Sequence, residues 1–217
     1  ILLVGFTPFI IIAVDNVMII SMNSVLQTYG GPGEGDMLIT CATIVQSFML
    51  VITMPLGGIT GGTQTILAFN YGAGQPDRVK KAQRFIFLLS AGYTTILFIL
   101  AQTAGHIFVR LFTSDPALIA EAAKTIKIYT LAVIPLSIQY VIVDGFTGLG
   151  KVQLSLPLSF FRKLVYFLPL FLLPRFFGAR ATFYAEPISD IIAPVVSIFI
   201  YAVAMKRILK KPVIPNF

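Results

Sequence analysis

The stretch GGITGGTQTILAFNYGAGQPDRVKKA, Gly57–Ala82, decides how this chain is read. It is apolar, yet it holds six glycines, four of them (Gly57, Gly58, Gly61, Gly62) within six residues, and it closes on a basic cluster. Glycine costs roughly 1 kcal/mol against alanine in a helix interior, so a water-soluble helix would rarely carry that density. In lipid the balance differs, because small residues four apart let helix backbones approach closely. Gly57/Gly61 and Gly58/Gly62 form two such pairs, and Pro55 just before them removes a backbone donor and favours a bend. The stretch reads as the end of a membrane helix that either packs closely or flexes, followed by a basic loop.

Composition supports a membrane setting. Of 217 residues, 57% are hydrophobic and only 12% charged, with a mean hydropathy of +0.89. Soluble domains are about 45–50% apolar and about 25% charged. The net charge of +7 is therefore read by its position relative to a bilayer rather than as a nucleic-acid footprint. Cys41 is the single cysteine, which excludes an intrachain disulfide. The chain starts at Ile1 rather than a methionine, and the expectation is a piece of something longer.

A bilayer core about 30 Å thick needs about 20 apolar residues per helix. Six spans meet this, at about Leu2 to Thr28, Met37 to Phe69, Phe85 to Phe112, Leu118 to Leu149, Val152 to Leu173 and Ala181 to Met205. The runs are too long and too continuously apolar for the alternating strands of a barrel, so the fold class is an all-α integral membrane protein. One side of the spans carries Arg78, Lys80, Lys81, Arg84, Lys151, Lys206, Arg207, Lys210 and Lys211. The other side's loops carry Arg175 and Arg180 among their acids Glu34, Asp36 and Asp115. The basic loops and the C-terminus are expected to be cytoplasmic. No nucleic-acid partner is expected; membrane lipid is.

Several spans carry polar stripes that lipid would not accept. Gln46, Thr53, Thr60 and Gln64 share one face of the second, if it is roughly continuous. Asn16, Asn23 and Gln27 line the first beside Asp15, and Thr130, Ser137 and Asp144 repeat at seven on the fourth with Tyr140 between. On the sixth, Glu186 and Asp190 lie one turn apart, followed by Ser197 and Tyr201. Some of these amides and hydroxyls serve as interhelical glue. An intramembrane carboxylate costs at least about 2.5 kcal/mol, so each acid is a functional candidate by default. Asp15 and Asp190 are near mid-depth. Glu186 is either buried with Asp190 or solvated at the interface, and Asp144 is expected to pair with Lys151 or Arg162. Arg162 and Lys163 either snorkel to the inner interface or pair with buried acids. His106 has no second histidine or cysteine cluster with which to hold zinc, and Met18 and Met22 suit core packing.

Taken together the motifs resemble those of MATE transporters, the multidrug and toxic compound extrusion family. The resemblance rests on the glycine-rich helix with Gln64, then NYGAG at Asn70–Gly74 and Arg78-Val79. GFTPF at Gly5–Phe9, MNSVLQTYGG at Met22–Gly31, LFTSDP at Leu111–Pro116, GLGKVQLSLPLSFFRKLVYFLPL at Gly148–Leu170 and AEPISD at Ala185–Asp190 follow in the family's order. It covers nearly the whole chain and implies one six-helix lobe, residues 1–217, matching the C-terminal half of a twelve-helix transporter. The missing N-terminal lobe, or a second copy, is the expected partner. By resemblance, the protein is expected in the cytoplasmic (inner) membrane of a prokaryote.

The same resemblance implies antiport, not enzymatic chemistry: organic cations leave through an alternating-access cavity in exchange for sodium ions or protons, with no cofactor. Carried over by position, Asp15, Asn16, Asn23, Gln64, Asp144 and Asp190 are the ion- or substrate-site candidates, with sodium, where it is the coupling ion, at Asp15 or Asp190. Many members of one branch carry a glutamate where this chain has Asp15-Asn16. A lipid-linked oligosaccharide flippase of the same superfamily is the alternative, and it would need a more cationic cavity than Arg162 and Lys163 supply. An intramembrane enzyme is left with few catalytic constellations by one histidine and one cysteine.

Overall fold

The computed structural model describes the backbone of residues 2–209 and the side chains from Ala13 onward. Lys210 and Lys211, and the side chains of the Gly5–Phe9 motif, lie outside the described residues. The elements are α1 (Leu2–Gly30), α2 (Glu34–Gly62), α3 (Gln64–Gly72), α4 (Pro76–Val109), α5 (Pro116–Tyr129), α6 (Val133–Gly148), α7 (Val152–Phe177) and α8 (Ala185–Ile208). A short 3-10 turn, Ala179–Tyr184, leads into α8. No strand occurs among the described residues.

The helices are roughly consistent with six spans, and among the described residues four are by themselves long and apolar enough to cross a membrane, five if one bent pair counts as a span. α2 and α3 form one 39-residue rod interrupted at Thr63, and α4, α7 and the turn with α8 are each long and apolar enough to cross a membrane. α5 and α6 pass the same test only as a pair, bent by 49° at a short break, and α1 is 29 residues long.

Boundaries moved where proline chemistry dictates. α4 begins at Pro76, nine residues before the expected Phe85, because proline at the first helical position gives up an N–H that would have no intrahelical partner. Arg78, Lys80, Lys81 and Arg84 thus ride on the first turns of a helix rather than in a loop. The fourth span parts at Thr130–Ala132, and Pro135 falls in the first turn of α6, where no donor is missed. Asp115 starts α5 by accepting from the Ala117 amide at 2.9 Å.

The glycine pairs of α2 do not serve close packing within this lobe. A Cβ at Gly57, Gly58, Gly61 or Gly62 would meet nothing within 4 Å. Close approach is instead needed at Gly30, where a Cβ would come within 2.8 Å of the Gly35 backbone, and at Gly148, where it would lie 2.9 Å from the Gln64 carbonyl.

Two hydrophobic cores hold the bundle. One gathers Met22, Leu26, Leu38, Ile52, Ile126 and Phe183; the other gathers Leu67, Val79, Ile142, Phe146, Leu158 and Met205 at the end with the basic residues. At the first end, Arg180 bonds Glu34 at 2.7 Å and Glu121 at 2.6 Å, drawing three connections together. At the other end, the Lys151 ammonium lies 5.5 Å from the centre of the Tyr71 ring. The alternation of connections between two ends is what consecutive spans require. Large side chains such as Met54, Leu168 and Phe199 stay exposed on the outside, as a surface facing hydrocarbon allows.

Candidate functional site

The geometry pairs both cations with acids, Arg162 with two buried ones and Lys163 with the half-exposed Asp15. From α7, the Arg162 guanidinium donates through Nη1 to Asp190 Oδ1 at 2.9 Å and to Glu186 Oε1 at 3.2 Å. The i, i+4 spacing of Glu186 and Asp190 on α8 turns both carboxylates toward the same guanidinium. Asp190 is 1% exposed and Glu186 8%, so Glu186 is a buried partner rather than a solvated interfacial acid. Tyr129, at the end of α5, donates its hydroxyl to Glu186 Oε2 at 3.4 Å, and Tyr166, one turn beyond Arg162, is buried.

Lys163 reaches the other way and bonds Asp15 of α1. Its side chain is 5% exposed, whereas that of Asp15 is 49% exposed. Asp15 therefore stands at the edge of the network with one side open. Desolvating an ion costs several kcal/mol unless a partner compensates. Here three carboxylates (Asp15, Glu186, Asp190) meet two cations (Arg162, Lys163), which leaves one negative charge in excess when all are ionised.

A second site lies nearer the basic end. Asp144 of α6 accepts from the Thr60 hydroxyl and from Gln64 Nε2 at 3.0 Å. The expectation that it pairs with Lys151 or Arg162 is corrected: Arg162 is taken by the α8 acids, and Lys151 is drawn over Tyr71. Thr60 and Gln64 flank the interruption at Thr63, so Asp144 holds both sides of the break. Gly148 permits this, since its missing side chain makes room for the Gln64 backbone.

The six candidates are thus not one constellation. Asp190 and Asp15 belong to the α7 network, and Gln64 and Asp144 to the second site. Asn16 lies exposed on α1, and Asn23 is half-buried two turns on and makes no hydrogen bond to either site among the described residues. His106 is exposed, and no group of metal-ligating residues occurs among those described. Tyr129 was not singled out in the sequence, because its bond to Glu186 depends on α5 folding back beside α8, which no local pattern announces.

The MatE family model matches residues 12–173, most of the chain and both networks' α6 and α7 components. The chain belongs to the MatE family. MatE proteins are transporters rather than enzymes, and this MatE chain carries their multi-pass membrane fold. An FAD transporter of Shewanella oneidensis is 25% identical over 151 residues, covering 69% of this chain and 33% of that protein. An outward-facing multidrug resistance MATE transporter of the MOP superfamily superposes with a TM-score of 0.86 at 15% identity, covering 95% of this chain and 46% of its own. A MOP superfamily transporter from Pyrococcus furiosus, described as having a binding pocket of reverse polarity, gives 0.85 at 16% over the same shares. The chain spans about half the length of the solved transporters that it matches.

Proposed function

We propose that this chain is one lobe, the C-terminal one, of a secondary active transporter that exports organic cations in antiport with sodium ions or protons. The carrying observation is the unbalanced network on α7, in which three carboxylates share two cations. Such a site takes up one small cation to become neutral, and neutrality lowers the cost of closing it away from water. Asp15, half exposed, is the entry point; Asp190, sealed against Arg162, is the inner acid. A cationic drug and the coupling ion then compete for the same negative charge, which makes exchange obligatory.

The test is efflux by the full-length transporter in sealed vesicles, with ethidium as the probe, under an imposed sodium gradient and separately under an imposed proton gradient. Efflux driven by one gradient alone, and lost in Asp15→Asn with Asp190→Asn, supports the reading and names the ion. Efflux under neither overturns it.

The likeness to an FAD transporter favours a second reading, export of an anionic dinucleotide. It would require Arg162 or Lys163 to leave its acid and face the substrate. Vesicles loaded with FAD in place of ethidium separate the two readings.

A further inference from the structure

We propose that the cleft between α5, the end of α7 and the start of α8 is a binding site for a zwitterionic phospholipid of the phosphatidylethanolamine type. This site is independent of the ion network and of the transported substrate.

The cleft holds about 400 Å³, within the ~300–1,000 Å³ of small-molecule sites. Its lining is mostly apolar, from Ile128, Leu173, Phe177, Phe183 and Ile188, with Glu121, Lys124 and Arg180 as its charged members. Below Ile188, the residues Ile191, Ile192, Val195 and Phe199 continue along one face of α8 and are all exposed. From Ile188 to Phe199 that track runs about 16 Å at 1.5 Å per residue. A headgroup pocket that opens onto an apolar track on a membrane helix has the shape of a lipid, polar at one end and extended at the other.

Charge selects the headgroup. Arg180 is held between Glu121 of the cleft and Glu34 just outside its lining, so those three groups together carry one net negative charge. Lys124 is exposed and forms no ion pair among the described residues. The cleft and its immediate surroundings thus offer one cation for a phosphate and one net-negative cluster for an ammonium. A zwitterion satisfies both. An anionic lipid without an amine meets one attraction and one repulsion, and a quaternary choline cannot donate a hydrogen bond to Glu121.

The experiment is lipid titration of the full-length protein in detergent, with retained lipid counted by native mass spectrometry. The probes are phosphatidylethanolamine, phosphatidylcholine, phosphatidylglycerol and soluble phosphoethanolamine. Phosphatidylethanolamine should bind at least fivefold more tightly than either other lipid, and the soluble headgroup should not be retained. Lys124→Glu, at an exposed position that the fold does not depend on, should abolish the preference; Ile188→Trp, which fills the cleft, should cut retention at least fivefold. Equal binding of phosphatidylglycerol, retention of phosphoethanolamine alone, or an unchanged profile in Lys124→Glu would overturn the proposal.

Discussion

The Gln64 carboxamide donates to Asp144 across 3.0 Å, and it does so from the first residue of α3, immediately after the interruption at Thr63. The same carboxylate takes the Thr60 hydroxyl from the last turn of α2. One acid on α6 therefore staples both halves of a broken helix. Asp144→Ala should leave the Gln64 amide without its acceptor, while the Thr60 hydroxyl keeps the Leu56 carbonyl at 3.1 Å, and should lower stability by about 1–3 kcal/mol. Thermal unfolding of the purified protein measures it, with Asp144→Asn, which keeps one acceptor oxygen, falling in between.

Arg162 holds two buried acids, and its loss should be felt more than the loss of either. Arg162→Met leaves Glu186 and Asp190 one turn apart without a counter-charge, a change of the kind that costs about 3–5 kcal/mol. Adding Glu186→Gln and Asp190→Asn to that variant should recover most of the loss. An unfolding midpoint for Arg162→Met equal to that of the parent would show that the guanidinium does not compensate these acids.

Lys163→Met and Asp15→Asn should act in opposite directions on the coupling ion. Removing the cation raises the excess from one negative charge to two, so the driving ion should bind severalfold more tightly and leave more slowly. Removing Asp15 brings the network to balance and should weaken ion binding instead. The ion concentration for half-maximal exchange in vesicles reports both; a shift in the same direction for both variants contradicts the charge count.

Gly58→Ala and Gly61→Ala separate packing from flexing. Neither Cβ meets a neighbour within 4 Å, so the fold should tolerate both, with up to about 1 kcal/mol of added helix stability each. Turnover should nevertheless fall if this segment bends during transport. Unchanged efflux in the double variant assigns these glycines no part in the motion.

Gln83 fills the space that Gly145 leaves open, and the two should couple strongly. Gly145→Ala would put a methyl carbon 2.5 Å from Gln83 Nε2, which donates to the Val141 carbonyl at 3.1 Å. The substitution should be costly alone and much less so in a Gln83→Ala background. A double-mutant cycle on unfolding free energies measures that coupling, expected at about 0.5–3 kcal/mol; strict additivity would mean that the side chain simply swings away.

The six spans were legible because length and apolarity are local properties, and a bilayer punishes any other solution. The buried acids were legible for the same reason, since charge in an apolar run stands out at once. Their partners were not. Asp144 looked like half of an ion pair because Lys151 is near it in sequence, whereas the fold supplies a hydroxyl and an amide from residues about eighty positions earlier. Tyr129 lies 57 positions before Glu186, and only the fold of α5 toward α8 brings them together. The glycine pairs left packing and flexing both open. Small-xxx-small spacing reports that a close approach is sterically allowed, and the lobe places no neighbour there. The break in the fourth span lies at Thr130–Ala132, and the donor that Pro135 lacks falls in the first turn of the new helix, where it is not missed.

The α2–α3 rod has 39 residues, about 58 Å of helix at 1.5 Å per residue, against a hydrocarbon core of about 30 Å. A rod nearly twice as long as its surroundings must lean, protrude or fold at its weakest point, and that point is Thr63, stapled by Asp144. The thickness of the surrounding bilayer thus becomes a mechanical input to this lobe. Thinner membranes should load the staple and thicker ones relax it, so acyl-chain length in reconstituted vesicles should tune transport rate even with every residue unchanged.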